Sequence, residues 1–236
     1  GYADNAALPV DVHDFSDAIN RYLLVDKTMF IADILDSEAS VALCCRPKGF
    51  GKSMNLSMLK CYLERHDHRQ PDRSPFVGTL IWQAGGVRYR DEYACYPVIM
   101  LDFSAAASRH GAGAAAIRGA VVRECARLLP LLVAPDLSRR EVRLIERTAR
   151  GVASDKEIDA ALGVLIMLLR TAFDEQVVFL IDDYDAVCPK RLDAKDDGSV
   201  DSLESLSRML FDTIADADDS LRLTCLMGER PGPAEF

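Results

Sequence analysis

"LCCRPKGFGKSMN", residues 43–55, decides how this chain is read. Apolar residues lead into Gly51, Lys52 and Ser53, the closing residues of the phosphate-binding pattern G-x-x-x-x-G-K-[ST]. Where that pattern wants its first glycine, the chain has Arg46 followed by Pro47. A bare G-K-[ST] tripeptide arises by chance in roughly one protein in ten of this length, so its neighbours must carry the argument. Val41–Cys45 has the length and apolarity of a buried strand, and Ser53 opens a helical pattern carried by Leu56, Leu59, Tyr62 and Leu63. A loop between strand and helix points successive backbone N–H groups inward, and the positive end of the helix dipole adds to that anion cradle. There Gly51 keeps the backbone bare where a phosphate approaches, Lys52 reaches the β and γ oxygens, and the Ser53 hydroxyl is a ligand for Mg²⁺. Pro47 fixes its own φ and drives Arg46 toward extended geometry, so the loop leaves the strand without a glycine turn and Gly49 supplies the flexibility. The candidate nucleotide-binding segment is Arg46, Pro47, Lys48, Gly49, Phe50, Gly51, Lys52, Ser53 and Met54.

Such a loop needs a second strand that delivers a carboxylate to the magnesium sphere. "VVFLIDDYD", 177–185, has five apolar residues followed by Asp182 and Asp183, a Walker B pattern. The first acid holds Mg²⁺ and the next orients the attacking water. Asp183 is one methylene shorter than the glutamate usual there, which predicts slow hydrolysis. Asp185 either assists or caps the next element.

Two further apolar runs of strand length, Pro97–Phe103 and Leu221–Met227, bring the predicted strands to four. Helical faces lie between them: Ile117, Val121, Cys125, Leu128 and Leu132; Ile158, Leu162, Leu165, Leu169 and Phe173; Leu203, Leu206, Leu210 and Ile214. Capping boxes are read at Ser138 with Glu141, Ser154 with Glu157, and Asp201 with Glu204. Strands alternating with helices predict an α/β fold, a doubly wound three-layer sandwich with a mainly parallel central sheet flanked by helices. Residues 1–40 read as a helical lead-in, with Phe15, Ile19, Phe30, Ile31, Ile34 and Leu35 as its apolar positions, and "DAKDDGSVDS", 193–202, as a loop.

At 236 residues and 49% hydrophobic, the chain is the size of one domain, 1–236. A net charge of −9 argues against bulk attraction to nucleic acid or an anionic membrane. Seven cysteines without C-x-x-C spacing suggest free thiols in a reducing cytosol, and no apolar run reaches the roughly 18 residues of a membrane span. The sequence therefore predicts a cytoplasmic protein with neither a membrane nor a direct nucleic-acid partner.

These residues resemble the AAA-ATPase-like family of prokaryotic proteins, a P-loop NTPase group often joined to a C-terminal PD-(D/E)XK nuclease-like region. The resemblance rests on "YLLVDKTMFI" (22–31), "CCRPKGFGKSMNLSMLKCYLE" (44–64), "YPVIMLDFS" (96–104) and "FLIDDYD" (179–185). The family loop reads R-P-x-x-F-G-K-[ST], which Arg46, Pro47, Phe50, Gly51, Lys52 and Ser53 match, so the absent first glycine is by resemblance a family trait. The family's L-I-D-E-Y-D stands here as "LIDDYD", and its Thr-Gly pair at the end of the next strand stands as Met227–Gly228. The resemblance implies ATP rather than GTP, and a nuclease-like C-terminal domain or a protein partner beyond this chain. By it, "VDKT", 25–28, borders the nucleotide; by the residues alone, Asp26 or Thr28 caps the helix that follows.

The expected function is ATP–Mg²⁺ binding with hydrolysis: Lys52 and Asp183 catalytic, Ser53 and Asp182 on the metal, amides of residues 48–53 around the phosphates. Two alternatives stand beside it: a regulatory nucleotide switch with little or no hydrolysis, acting through a partner or a further domain, and a small-molecule kinase. Asp102, ending the second strand, either bonds near the γ-phosphate or forms a turn. His66, Asp67 and His68 read as a helix terminus, Arg230 as a solvated side chain, and Cys44 and Cys45 as packing residues.

Overall fold

The computed structural model describes residues 14–19, 21–22, 25–37, 39–65, 71–84, 87–104, 113–187 and 199–230, with the backbone alone for 113, 199–207 and 218. Four parallel strands form one sheet: β1 (Val41–Cys45), β2 (Val98–Asp102), β3 (Val177–Asp182) and β4 (Leu221–Gly228). Their order is β1-β4-β3-β2. From β1 the chain crosses to the far edge and works back inward, and its last strand slots between the first and the third.

The four strands lie where the apolar runs place them, with small shifts at the ends. β3 and β4 each run one residue further, taking in Asp182 and Gly228. β2 is shorter than Pro97–Phe103, yet its ladder continues past both ends: Val178 N–H donates to the Pro97 carbonyl at 2.9 Å and Phe103 N–H to the Asp182 carbonyl at 3.1 Å.

Among the described residues the α-helices include α1 (Phe15–Ile19), α2 (Met29–Leu35), α3 (Lys52–Leu63), α4 (Leu80–Ala84), α5 (Val87–Asp91), α6 (Gly113–Leu128), α7 (Arg139–Ala149), α8 (Asp155–Phe173) and α9 (Ser199–Asp216). Every residue of β3 is buried, and alternation sends its side chains to opposite faces. Val177, Phe179 and Ile181 pack with Ile117, Val121 and Cys125 of α6 and with Leu162, Leu165 and Leu169 of α8. Val178 and Leu180 pack instead with Leu56, Leu59, Tyr62 and Leu63 of α3. The result is a three-layer α/β sandwich of the P-loop NTPase kind. The lead-in joins the α3 layer: Phe15 stacks on Phe76 at 5.2 Å, and its N–H donates to the Ser57 hydroxyl at 3.0 Å. Among the described residues no helix is long and apolar enough to cross a membrane.

Three local readings change. Residues 199–202, placed in a loop by their polarity, open α9, because serine and aspartate suit a first helical turn as well as a loop. The capping box at Asp201 and Glu204 thus lies inside the helix, while residues 193–198 lie outside the described residues. Ser138 is the N-cap residue of α7, yet its side chain makes no capping bond. The box at Ser154 does form: Glu157 Oε2 accepts the Ser154 N–H at 2.7 Å and the Ser154 hydroxyl at 2.8 Å, and Arg147 adds an ion pair at 3.2 Å.

"VDKT" serves a different helix from the one that follows it. Thr28, the N-cap residue of α2, makes no side-chain capping bond there. Its hydroxyl accepts the Ile81 N–H at 3.0 Å, and Asp26 Oδ2 accepts the Leu80 N–H at 2.9 Å, so both side chains cap the start of α4. Asp26 Oδ1 also takes the Thr28 N–H at 2.9 Å and the Thr28 hydroxyl at 2.6 Å. Burial pushes the Asp26 carboxyl up, but these donors outweigh it and hold the group below its ordinary value.

Two outcomes are expected. Asp26→Ala lowers unfolding stability by about 1 kcal/mol, the usual worth of a cap, and leaves nucleotide affinity unchanged; chemical denaturation with parallel titration checks it. For Glu157, the bonds from Ser154 and then Arg147 depress the carboxyl from 4.5 to about 2. Its stabilisation is therefore complete above 4.5 and lost as pH falls through about 2. Glu157→Gln should melt below the wild type at pH 7, and thermal scans in acid should show the gap closing.

Candidate functional site

In a parallel sheet the strand ends that receive ligands all lie on one edge, and here they gather Arg46, Asp102, Asp182 and Glu229. The loop between β1 and α3 turns on two glycines, Gly49 at φ 83° and Gly51 at φ 75°. A Cβ at either would meet nothing within 4 Å, so backbone conformation rather than space demands glycine. Gly51 is the N-cap residue of α3 and its carbonyl accepts the Asn55 N–H at 2.9 Å, which starts the helix at Lys52. Arg46 takes no positive φ. Its N–H donates to the Gly228 carbonyl at 3.0 Å, carrying the β1–β4 ladder one residue past the strand. A first glycine is thus unnecessary, as the Arg46-Pro47 geometry requires.

Lys52, on the first turn of α3, is only 8% exposed, an unusual burial for lysine. Phe50 stands 60% exposed, and Met54 packs against the α3-side core.

The opposing carboxylate is Asp182, 3% exposed at the end of β3. Burial raises its pKa, and the negative charge of Asp102, its register partner on β2, pushes the same way. The Ser53 hydroxyl, the Asp183 N–H at 3.1 Å and the Lys52 charge pull it back down. Loop and acid strand therefore meet: Lys52, Ser53, Asp182 and Asp183 form one electrostatic group. A buried, partly compensated carboxylate beside a hydroxyl fits a hard divalent cation. Among the described residues no cluster of three or more His, Cys, Asp or Glu is arranged to hold a metal by itself.

Asp183 occupies the left-handed region, φ 51°, ψ 44°, as N-cap residue of the 3₁₀ turn Tyr184–Ala186. Aspartate enters that region more readily than most residues with a side chain. Here lies a local reason for aspartate where the family motif has glutamate. Burial raises the Asp183 pKa, with Asp182 and Asp185 adding to it and Lys52 opposing.

Sequence reading missed the fourth contributor. β4 lies between β1 and β3, so its end faces the loop, and Glu229 Oε1 sits 3.6 Å from Lys52 Nζ. Gly228 has a clear packing role: a Cβ there would run into the Tyr184 ring and lie 2.7 Å from Asp185 Oδ1. The turn after β3 is pressed onto the bare backbone of β4. Asp185 Oδ1 accepts the Glu229 N–H at 3.3 Å, and the Tyr184 hydroxyl donates to the Arg230 carbonyl. The signal available in the sequence was an acid directly after the glycine that follows the fourth apolar run.

Asp102 forms a turn, its Oδ1 accepting the Ser104 N–H at 2.8 Å. Arg230 is exposed. Cys44 and Cys45 are half-buried at the end of β1. A hydrogen bond from Cys225 on β4, with help from Arg46, lowers the Cys44 pKa to about 7. His66, Asp67 and His68 lie outside the described residues. A cleft of about 260 Å³ opens between α3, β2 and α6; of its three cations, Lys60 and Arg127 are paired internally with Glu64 and Glu124, and Arg123 donates to the Asp102 carbonyl at 3.3 Å.

No curated protein and no solved structure matches this chain. A family model described as Predicted AAA-ATPase matches residues 9–231, which takes in the loop, both acidic strand ends and Glu229. The chain belongs to the predicted AAA-ATPase family.

Proposed function

We propose that this chain binds ATP with Mg²⁺ at the carboxyl ends of β1, β4 and β3 and hydrolyses the bond between its β and γ phosphates. The observation that carries the reading is the buried Lys52 amine on the first turn of α3, beside a buried Asp182 carboxylate. Lysine taken out of water next to a helix N-terminus needs an anion, and a triphosphate supplies more charge than one side chain does.

Backbone N–H groups of residues 48–53 would cradle the phosphates, and Lys52 would carry the negative charge shared by the β and γ oxygens. Ser53 and Asp182 would hold Mg²⁺, which when bound draws charge from those oxygens. Asp183 is the group to which the sequence gives the attacking water. Adenine over guanine follows from the family alone.

One observation also favours a second reading, a nucleotide switch with little hydrolysis. Lys52 pairs with Glu229, and an arriving phosphate must break that pair, so the end of β4 differs between empty and occupied states. Such a difference would be read by a further domain or a partner.

Lys52→Ala should weaken ATP binding at least tenfold, the loss expected from removing charge-assisted bonds to phosphate, as read by titration calorimetry. Unchanged binding would overturn both readings. Single-turnover hydrolysis separates them: wild-type conversion of bound ATP to ADP supports the hydrolase, and binding without conversion supports the switch.

A further inference from the structure

We propose that Glu229 is the carboxylate that orients and deprotonates the attacking water, taking the role the sequence gives to Asp183. The inference rests on the ATP-hydrolase reading of the same site.

Geometry points to Glu229 in three ways. First, its carboxylate reaches the Lys52 amine at 3.6 Å, and that amine marks where the β and γ oxygens are held. The carboxylate is therefore already at the phosphate end of the site. Second, the residue is tethered from both sides. The Gly228 carbonyl accepts the Arg46 N–H of the loop at 3.0 Å, and the Glu229 N–H donates to Asp185 of the acid strand's turn at 3.3 Å. The absence of a Cβ at Gly228 lets Tyr184 press against this strand end, and Tyr184 reaches on to the Arg230 carbonyl. A backbone anchored before, at and after the residue positions its side chain as a catalytic group requires. Third, the side chain is 46% exposed, so its carboxylate stays open to solvent water when phosphate takes over Lys52.

Asp183 has the shorter arm, and its backbone is committed to a left-handed turn. The two residues divide between them what one glutamate does in the usual motif: aspartate makes the turn, and the neighbouring strand supplies the reach. In the step itself the water oxygen bonds to the γ-phosphorus while the bond from that phosphorus to the bridging oxygen breaks, its electron pair leaving with ADP. The water proton passes to the Glu229 carboxylate and from there to inorganic phosphate, so the carboxylate is regenerated.

Once nucleotide binds, Glu229 and the γ-phosphate compete for Lys52. Loss of the Glu229 charge should therefore tighten binding while it slows chemistry, a split that a structural role would not produce. The test compares wild type, Glu229→Gln, Glu229→Ala, Asp183→Asn and Asp183→Glu as full chains. Readouts are single-turnover ATP hydrolysis and the Kd of a fluorescent ATP analogue. Glu229→Gln should lose about 100-fold or more in rate, with a Kd equal to or tighter than wild type. Asp183→Asn should lose less than tenfold, and Asp183→Glu should not accelerate the reaction. Sodium formate should restore at least tenfold of the rate lost by Glu229→Ala, with ATP binding unchanged. A Glu229→Gln rate within threefold of wild type, or no formate rescue, overturns the assignment while leaving the hydrolase intact. A wild type that binds ATP without converting it overturns the assignment and the hydrolase together.

Discussion

A carboxylate held away from water is the constraint around which this structure is arranged. Asp182 ends a strand buried at all six positions and is itself 3% exposed, so its charge forgoes hydration worth several kcal/mol. Compensation has to come from close by: the Ser53 hydroxyl, the Asp183 N–H and the charge of Lys52. Those groups reach it only if α3 begins at Lys52 and if β3 runs deep enough to bring its end to the loop. The desolvated acid therefore ties the start of one helix to the end of a strand more than a hundred residues later. Under the proposed function, a divalent cation would complete the same balance by adding positive charge where the protein has left a deficit.

The second constraint is topological. β4 separates β1 from β3, so the loop and the acid strand are held a strand apart and the end of β4 fills the interval. Tyr184 and Asp185 close on Gly228 from one side, and Arg46 bonds its carbonyl from the other. This strand end is thus a structural part of the site, and its next residue, Glu229, is brought to Lys52 by the packing. The absence of the family's threonine before Gly228 matters less than the glycine itself, whose missing Cβ lets the turn approach.

Much of this was legible along the chain. Buried parallel strands are continuous apolar runs, and all four were visible as such within a residue or two at each end. Helical faces were equally plain, since Ile117, Val121, Cys125, Leu128 and Leu132 recur at helical spacing and all five are buried. Polar signals were less dependable. Ser138 and Ser154 look alike in sequence, yet only Ser154 forms the box, with Arg147 of a neighbouring helix adding to it. Asp26 and Thr28 bond to a helix more than fifty residues away, which no local pattern encodes.

By itself the sequence determined the strand–loop–helix unit around Gly51-Lys52-Ser53, because its glycines and helical spacing are contiguous in the chain, and it determined the strand carrying Asp182, because burial on both faces imposes an apolar run. It also determined that Arg46-Pro47 enters the loop without a glycine turn, a matter of local sterics. Tertiary structure alone decided that the end of β4 lies between these two motifs and that Glu229, rather than solvent, meets Lys52. Strand order is set by long-range packing of buried faces, and a single acid at a strand end carries no periodic signal from which its neighbour across the sheet can be read.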